Sequence, residues 1–392
     1  MKLVLTVMVR DEADIIKAMI EHHLAQGIDL IIATDNGSID GTREILETYR
    51  DKGVLVLHDD PVHMKQQHST VTKMAREAYT DFDADWVINA DADEFWVPVN
   101  RAISLHEAFS HLPQDLQAFL VPVTDMTGLA AAAGSQFDRL NLRDHRSNEE
   151  LMATGLLAHS TPDAVHVGSA TVEVAQGNHF VSLSSGGNPD PEWAIEVLHL
   201  PWRSWEQYRR KVENAGQAYD ANPELSPSPN HHGMRDYARL KDGTLLSYYL
   251  LRHPTVEQID VGLQNGTFVT EEGLLDLNSH EREDVLFDPE LSAVHRGYGA
   301  KLVAADIQQR ASANEVARLT ALLADLQAAH QQLLVTLTEA QSQNLLQEDN
   351  IAVLESLIEQ FRTRKVIRAA DKTTSIRRRV ESAVSGLRGG RQ

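Results

Sequence analysis

The sequence predicts an α/β fold: a parallel sheet with helices on both faces, then a less regular region, then a long helix. Three observations predict it. The first hundred residues alternate short apolar runs with amphipathic stretches, the pattern of βαβ units. Three of those runs end in polar clusters, Arg10-Asp11-Glu12, Asp35-Asn36-Gly37-Ser38 and Asp91-Ala92-Asp93. Ligands of such sheets sit beyond the carboxyl ends of the strands. From about Ile307 to Phe361, Pro and Gly vanish and Leu, Ala, Gln and Glu dominate.

Each element has its local reason. Leu3–Val9 is an apolar first strand, and Ala13–Gln26 carries Ile15, Ile16, Met19, Ile20 and Leu24 near helical spacing. Gly27 stops that helix. Leu30–Thr34 is a second strand, Asp35-Asn36-Gly37 a turn, and Asp40 or Thr42 starts a helix through Tyr49. Val54–Leu57, Met64–Tyr79 and Trp86–Ala90 continue as strand, helix and strand. Residues 100–300 mix strands at Ala118–Val123, Thr171–Val174 and Ile195–Leu200 with loops such as Ser184–Pro191 and Asn222–Asn230. In the last helix, apolar steps of three and four (Leu319, Leu322, Leu326, then Ile351, Leu354, Ile358) suggest a coiled coil and self-association. Asn344 and Gln347 interrupt the pattern, and it requires a register shift near Leu333. A helix folded back on the body is the alternative.

Composition narrows the function classes. The chain has 392 residues, enough for two or three units. Apolar residues make up 42% and charged residues 24%, as in ordinary soluble proteins. With no cysteine there is no disulfide, thiolate metal site or thiol nucleophile, which fits a reducing compartment. LVLTVMV is followed at once by Arg10, Asp11 and Glu12, so it reads as a strand and not as a signal peptide. No apolar run approaches the roughly 18 residues of a membrane span. A net charge of −21 argues against general nucleic-acid binding. Residues 361–392 reverse the sign, with ten Lys/Arg against Asp371 and Glu381. Such a tail is expected to be partly disordered; anionic lipid, an acidic partner or no partner at all are open to it.

The stretch WVINADADEFWVP, Trp86 to Pro98, puts three carboxylates, Asp91, Asp93 and Glu94, at the end of a buried strand. Like charges this close repel, and a divalent cation held by oxygen ligands is the usual compensation. A polar turn is the plain alternative.

Together with VRDEADIIKAMIEHHLAQGIDLIIATDNGSIDGT, the Gln66-Gln67 pair in the third helix and LHLPWRSWEQYRRKV, this stretch resembles glycosyltransferase family 2, in its bacterial group with a DxD-EF signature. The resemblance spans roughly residues 1–215. It implies a GT-A fold, a Rossmann-like mixed sheet with helices on both faces. It also implies metal-dependent, inverting transfer of a hexosyl group from a UDP- or GDP-linked donor to a hydroxyl of a glycan or glycolipid. On that resemblance Asp93 is the direct metal ligand, Asp91 contacts ribose or a metal water, and His199 is the third metal ligand. An imidazole ligand suits Mn²⁺ better than Mg²⁺. Thr6, Arg10, Glu12, Asp35 and Gln67 would line the nucleotide pocket, with Asp35 on the base. Arg203 and Lys211 would face the departing diphosphate. Asp125 is the first choice of general base, ahead of Glu173 and Glu196. His179 ranks below His199 as a ligand.

The expected organisation is a transferase domain over 1–300, with a nucleotide-binding half over 1–100 and an acceptor half over 101–300. A coiled-coil segment over 301–361 and a basic tail over 362–392 follow. The expected role is cell-surface glycan or glycoconjugate synthesis, in the cytoplasm or peripheral at the inner face of the membrane. Two other readings stand beside it. A sugar nucleotidyltransferase would normally open with a glycine-rich phosphate loop, which MVRDEAD lacks. A non-catalytic coiled-coil scaffold would carry the acidic cluster as a relic.

Overall fold

The computed structural model describes residues 1–61, 67–220, 232–274 and 283–388. Its first hundred residues fold as β1 (Leu3–Val9), α1 (Ile16–Ala25), β2 (Leu30–Asp35), α2 (Thr42–Asp51), β3 (Leu55–Asp59), α3 (Gln67–Thr80), β4 (Trp86–Ala90) and β5 (Glu94–Pro98). Gln66 and the loop Asn222–Asn230 lie outside the described residues. After β5 come α4 (Leu105–Ser110), β6 (Ala118–Val121), β7 (Val123–Thr127), β8 (Ala131–Ala133), β9 (Leu142–Asp144), α5 (Asn148–Ala153), β10 (Asp163–Val167) and β11 (Ile195–His199). The chain ends with α6 (Trp205–Asp220), α7 (His232–Lys241), α8 (Leu245–Arg252), α9 (Val256–Asn265), β12 (Phe268–Thr270), β13 (Val285–Leu286) and α10 (Pro289–Arg388).

The main sheet has the order β3-β2-β1-β4-β10-β6. Strands β1 to β4 are parallel, as the βα alternation requires, and β10 runs antiparallel to β4 and β6. The sheet is therefore mixed, with helices on both faces. Alternation along β1 explains the two-sided core. Leu3, Leu5 and Val7 pack with Ile16, Met19 and Ile20 of α1. Val4 points the other way and joins Val71, Met74 and Ala78 of α3. A central parallel strand buried on both faces needs such a continuous apolar run.

A second sheet, β12-β9-β7-β11-β5, stands at the carboxyl end of the first. The predicted strand Ala118–Val123 is in fact two strands in two sheets. Pro122 separates them, because a proline has no N–H to give a ladder; its carbonyl still accepts from Val197 at 2.9 Å. Strand β11 lies antiparallel to β5, with His199 opposite Glu94, and parallel to β7, with His199 opposite Asp125. That register brings the DADE turn, Asp125 and His199 to one place. The predicted strand Thr171–Val174 makes only one bridge, Val174 to Val181.

The chain divides into two compact units, Met1–Ile307 and Gln308–Gln392. The second unit consists of α10 residues to Arg388, without a break. The basic tail, expected to be partly disordered, continues this helix as far as Arg388, where the described residues end. No Pro or Gly falls between Gly299 and Gly386 to stop it. Among the described residues no helix is long and apolar enough to cross a membrane.

Candidate active site

The loops after β1, β2 and β4, the start of α3 and the stretch of α6 from Lys211 to Ala218 line a cavity of about 200 Å³. Arg10, Glu12, Asn36, Gln67, Asp93 and Lys211 are among its walls. The loop after β1 is held by Asp11, whose φ of 57° is tolerated by Asp better than by most residues. Its carboxylate accepts from Ile39 N at 2.9 Å and from Asn214 Nδ2 at 2.8 Å. Gly41, with φ of 104°, opens α2 in a conformation that favours glycine. Asp40 beside it accepts from Thr42 N at 3.1 Å and Thr42 Oγ1 at 2.6 Å.

The three carboxylates of the DADE turn are accommodated in three ways. Asp91 Oδ1 accepts from the amides of Gln67 at 2.9 Å and Asn178 at 3.2 Å. Asp93 is almost fully buried and pairs with Lys211, with Arg203 Nη1 at 3.5 Å and His199 Nε2 at 3.8 Å. Burial alone would raise its pKa, but Lys211, His199 and Arg203 outweigh burial and hold it below the usual carboxylate range. Glu94 folds back to accept from Asp91 N at 3.0 Å. Burial, with Asp163 and Asp91 nearby, pushes its carboxyl well above the ordinary range.

Asp125, the expected general base, lies beside His199 and is not among the residues that line the cavity. Both its oxygens are taken, by His199 Nδ1 at 2.9 Å, Ser160 Oγ at 2.7 Å, Ser160 N at 3.0 Å and His159 Nδ1 at 3.2 Å. Burial opposes its charge, yet His159, His199 and Ser160 together hold it well below the usual range, which makes it a poor proton acceptor. What it does is orient His199: by binding Nδ1 it turns Nε2 toward Asp93. Burial lowers the imidazole pKa, but Asp125 and Asp93 outweigh it and the net direction is up.

Arg203 also departs from expectation. It is fully buried, and its guanidinium is paired with Glu12, with Asp14 at 2.7 Å and with Asp93. Those acids use the fork that a diphosphate would need, so Arg203 serves as their internal counter-ion. Lys211 is 39% exposed and lines the cavity, so it can reach a ligand. Thr6 is fully buried and donates to Asn89 at 2.7 Å inside the sheet, away from the cavity wall. Asp35 accepts from Ser38 N at 3.2 Å and lies 3.6 Å from Arg43, while its neighbour Asn36 lines the cavity. Arg10 donates to Asn36 O at 2.5 Å, which ties the β1 and β2 loops together. Glu12 is pushed up to about 7, because burial outweighs the attraction of Arg203 and Lys211.

Sequence reasoning missed Asn178, His159 and Ser160. Asn178 sits in GNHF, where His179 drew attention, but His179 pairs with Asp163 at 2.9 Å and Asn178 reaches Asp91. Nothing in the spacing of His159 and Ser160 ties them to Asp125; the turn after α5 does.

Among the described residues no three His, Cys, Asp or Glu side chains converge as a metal set. Two donors do face each other, Asp93 Oδ2 and His199 Nε2, and Asp125 backs the imidazole as a carboxylate commonly backs a metal-bound histidine. This donor set fits a divalent ion that completes its shell with phosphate and water oxygens, once Lys211 moves off Asp93.

Residues 5–120, the main-sheet half of this site, match the family model of glycosyltransferase family 92. The motifs resemble family 2; glycosyl transfer is what the two have in common. No curated protein matches the chain. Solved structures with some likeness include S. aureus TarS 1-349, at 14% identity and TM-score 0.30 over 68% of this chain and 74% of that one. TarS 1-349 in complex with UDP gives 12% and 0.29 over 79% and 92%. Glucosyl-3-phosphoglycerate synthase from Mycobacterium tuberculosis, in complex with Mn²⁺, UDP and glucosyl-3-phosphoglycerate, gives 10% and 0.27 over 65% and 81%. Likeness at this level identifies no activity.

Proposed function

We propose that the chain is a glycosyltransferase that moves a sugar from a nucleoside diphosphate donor to a hydroxyl acceptor. The observation that carries this reading is the meeting of Asp91, Asp93 and Lys211 around one cavity beyond the carboxyl end of β4, with His199 Nε2 3.8 Å from Asp93. The family match over the same strands supports it.

On this reading Asp93 and His199 hold a divalent cation, Mn²⁺ in preference to Mg²⁺ because one donor is an imidazole. When bound, the cation supplies Lewis-acid stabilisation of the diphosphate as it leaves. Asp125 keeps the imidazole in the required tautomer and orientation. Lys211 exchanges Asp93 for a phosphate oxygen and gains importance as charge develops on the leaving group. Gln67 and Asn178 hold Asp91 toward the ribose. Arg203 prevents Glu12, Asp14 and Asp93 from repelling one another and the donor.

The test is thermal unfolding of the full chain against UDP, GDP, CDP and dTDP, each with and without Mn²⁺. A ligand at 100 times its dissociation constant adds about 2.7 kcal/mol. The expected result is stabilisation by one diphosphate only with Mn²⁺, and its loss in Asp93→Ala. No shift with any diphosphate at saturation would overturn the reading.

A further inference from the structure

The exposed seam of α10 fits a second copy of the same helix. The helix is unbroken through Gln308–Arg388, so one heptad register can run along it. With position a at Val316 and d at Leu319, seven-residue steps reach Ile358 and Phe361 with no shift. Eleven of these fourteen positions are apolar, and the three exceptions are His330, Asn344 and Gln347. The register shift expected near Leu333 is therefore not needed; it arises only if Leu322, which falls at g, is counted into the seam. In the single chain this seam is bare: Leu326 is 60% exposed, Leu333 71%, Ile351 54%, Leu354 58%, Ile358 52% and Phe361 63%. Five of the seven a/d pairs are apolar at both positions, and the polar ones fall on the same register, the repeat of a coiled-coil seam.

We infer that α10 forms a parallel, in-register, two-stranded coiled coil with a second copy of this chain through residues 316–361. The number of strands follows from the branching. Of the five apolar a positions three are β-branched (Val316, Ile351, Ile358) and two are Leu323 and Leu337; with Leu at four of the seven d positions, none β-branched, and Asn344 at a, the pattern favours two strands. Orientation follows from the polar layers. In a parallel pair Asn344 meets Asn344 of the second copy, and each amide finds a partner. In an antiparallel pair over the same stretch Gln347 would meet His330, but Asn344 would face Leu333 and be left without a partner, which buried amides avoid, so Asn344 is the residue that decides. Flanking charges do not decide orientation, because Glu348 and Glu355 at e face Gln343 and Asn350 at g. One consequence is that both basic tails leave the pair at the same end.

The chain has no cysteine, so orientation can be read with a single introduced thiol. Sedimentation equilibrium of the full chain should give twice 43.6 kDa. Leu319→Cys, reduced, should keep that mass. Oxidised, it should convert to a disulfide-linked pair, because two d positions meet only in a parallel, in-register arrangement. Asn344→Leu should yield a mixture of oligomeric states at unchanged helix content, since the layer that fixes the state is gone. A monomeric full chain at all concentrations, or a trimer, overturns the inference. So does a pair in which Leu319→Cys stays reduced while a mixture of Leu319→Cys and Ile358→Cys chains cross-links.

Discussion

Asp125→Asn separates two roles that a buried carboxylate beside a transfer site could have. In the structure Asp125 accepts four hydrogen bonds, two of them from imidazoles. Asparagine keeps one acceptor oxygen and turns an NH₂ toward groups that donate. Hydrogen bonds to a charged group contribute roughly 1.5–3 kcal/mol each. Losing about two of them costs about 3–6 kcal/mol of stability, readable by urea unfolding. Because the folded pKa of Asp125 is depressed, its contribution is present above the unfolded value of about 3.9 and is lost as pH falls through the folded value. The gap between wild type and variant therefore narrows in acid. The functional effect should fall on the cation. With Nδ1 released, His199 loses its fixed tautomer, and changes of this type weaken metal binding by about 10–100-fold. The assay is the Mn²⁺ concentration needed for half-maximal diphosphate stabilisation, measured well below the melting temperature of the variant. If that concentration is unchanged while glycosyl transfer is lost, Asp125 is a general base after all and the positioning argument fails.

Three further outcomes follow from the same geometry. Arg203→Met should destabilise the fold by about 3–5 kcal/mol, because it strands three buried acids, whereas Lys211→Met should change stability by less than about 1 kcal/mol. Urea midpoints compare the two, and equal losses would contradict the separate roles. Lys211→Met should instead weaken the metal-diphosphate complex by about 10–100-fold in calorimetry, the value of one charge-assisted hydrogen bond. Burial pushes the Glu12 carboxyl up to about 7 from its ordinary value of 4.5. Its share of stability is then full below the unfolded pKa and falls away as pH rises from about 4.5 to 7. Glu12→Gln should flatten that part of the stability profile, and an unchanged slope would show that another group, such as Glu94, sets it.

Much of the sheet was legible in the sequence because its strands are short apolar runs with turn residues at fixed offsets. The run LVLTVMV, Leu3 to Val9, is apolar at both odd and even positions, so it can be recognised as a strand buried on both faces without tertiary information. The acidic turn after β4 was legible for the same reason. The second sheet was not. Strand β7 continues β6 in sequence and leaves it in space, and only Pro122 marks the change. The partners of Asp125 were equally hidden, since His159 and Ser160 reach it from a turn 34 and 35 residues away. Arg203 shows the opposite limit. Its position in HLPWRS was noticed, but whether an arginine faces a ligand or neutralises its neighbours depends on burial, and no local pattern reports burial of a charge.

The DADE turn shows how four residues can set up a charged site without unfolding the strand that bears them. The three carboxylates could not all be left as bare charges. Glu94 is pushed up by burial and by its acidic neighbours, and it turns back to the Asp91 N–H. Asp91 accepts from the amides of Gln67 and Asn178. Asp93 is given cations, and they differ in kind. Arg203 is fixed by Glu12 and Asp14 and stays wherever the donor goes. Lys211 is on the cavity wall and has a long flexible stem. On the function proposed, only the lysine would leave when a divalent ion and a diphosphate arrived together, and the diphosphate would offer it a new anion. Asp93 would then have a cationic partner both before and after the donor binds, so neither state would leave a buried carboxylate alone.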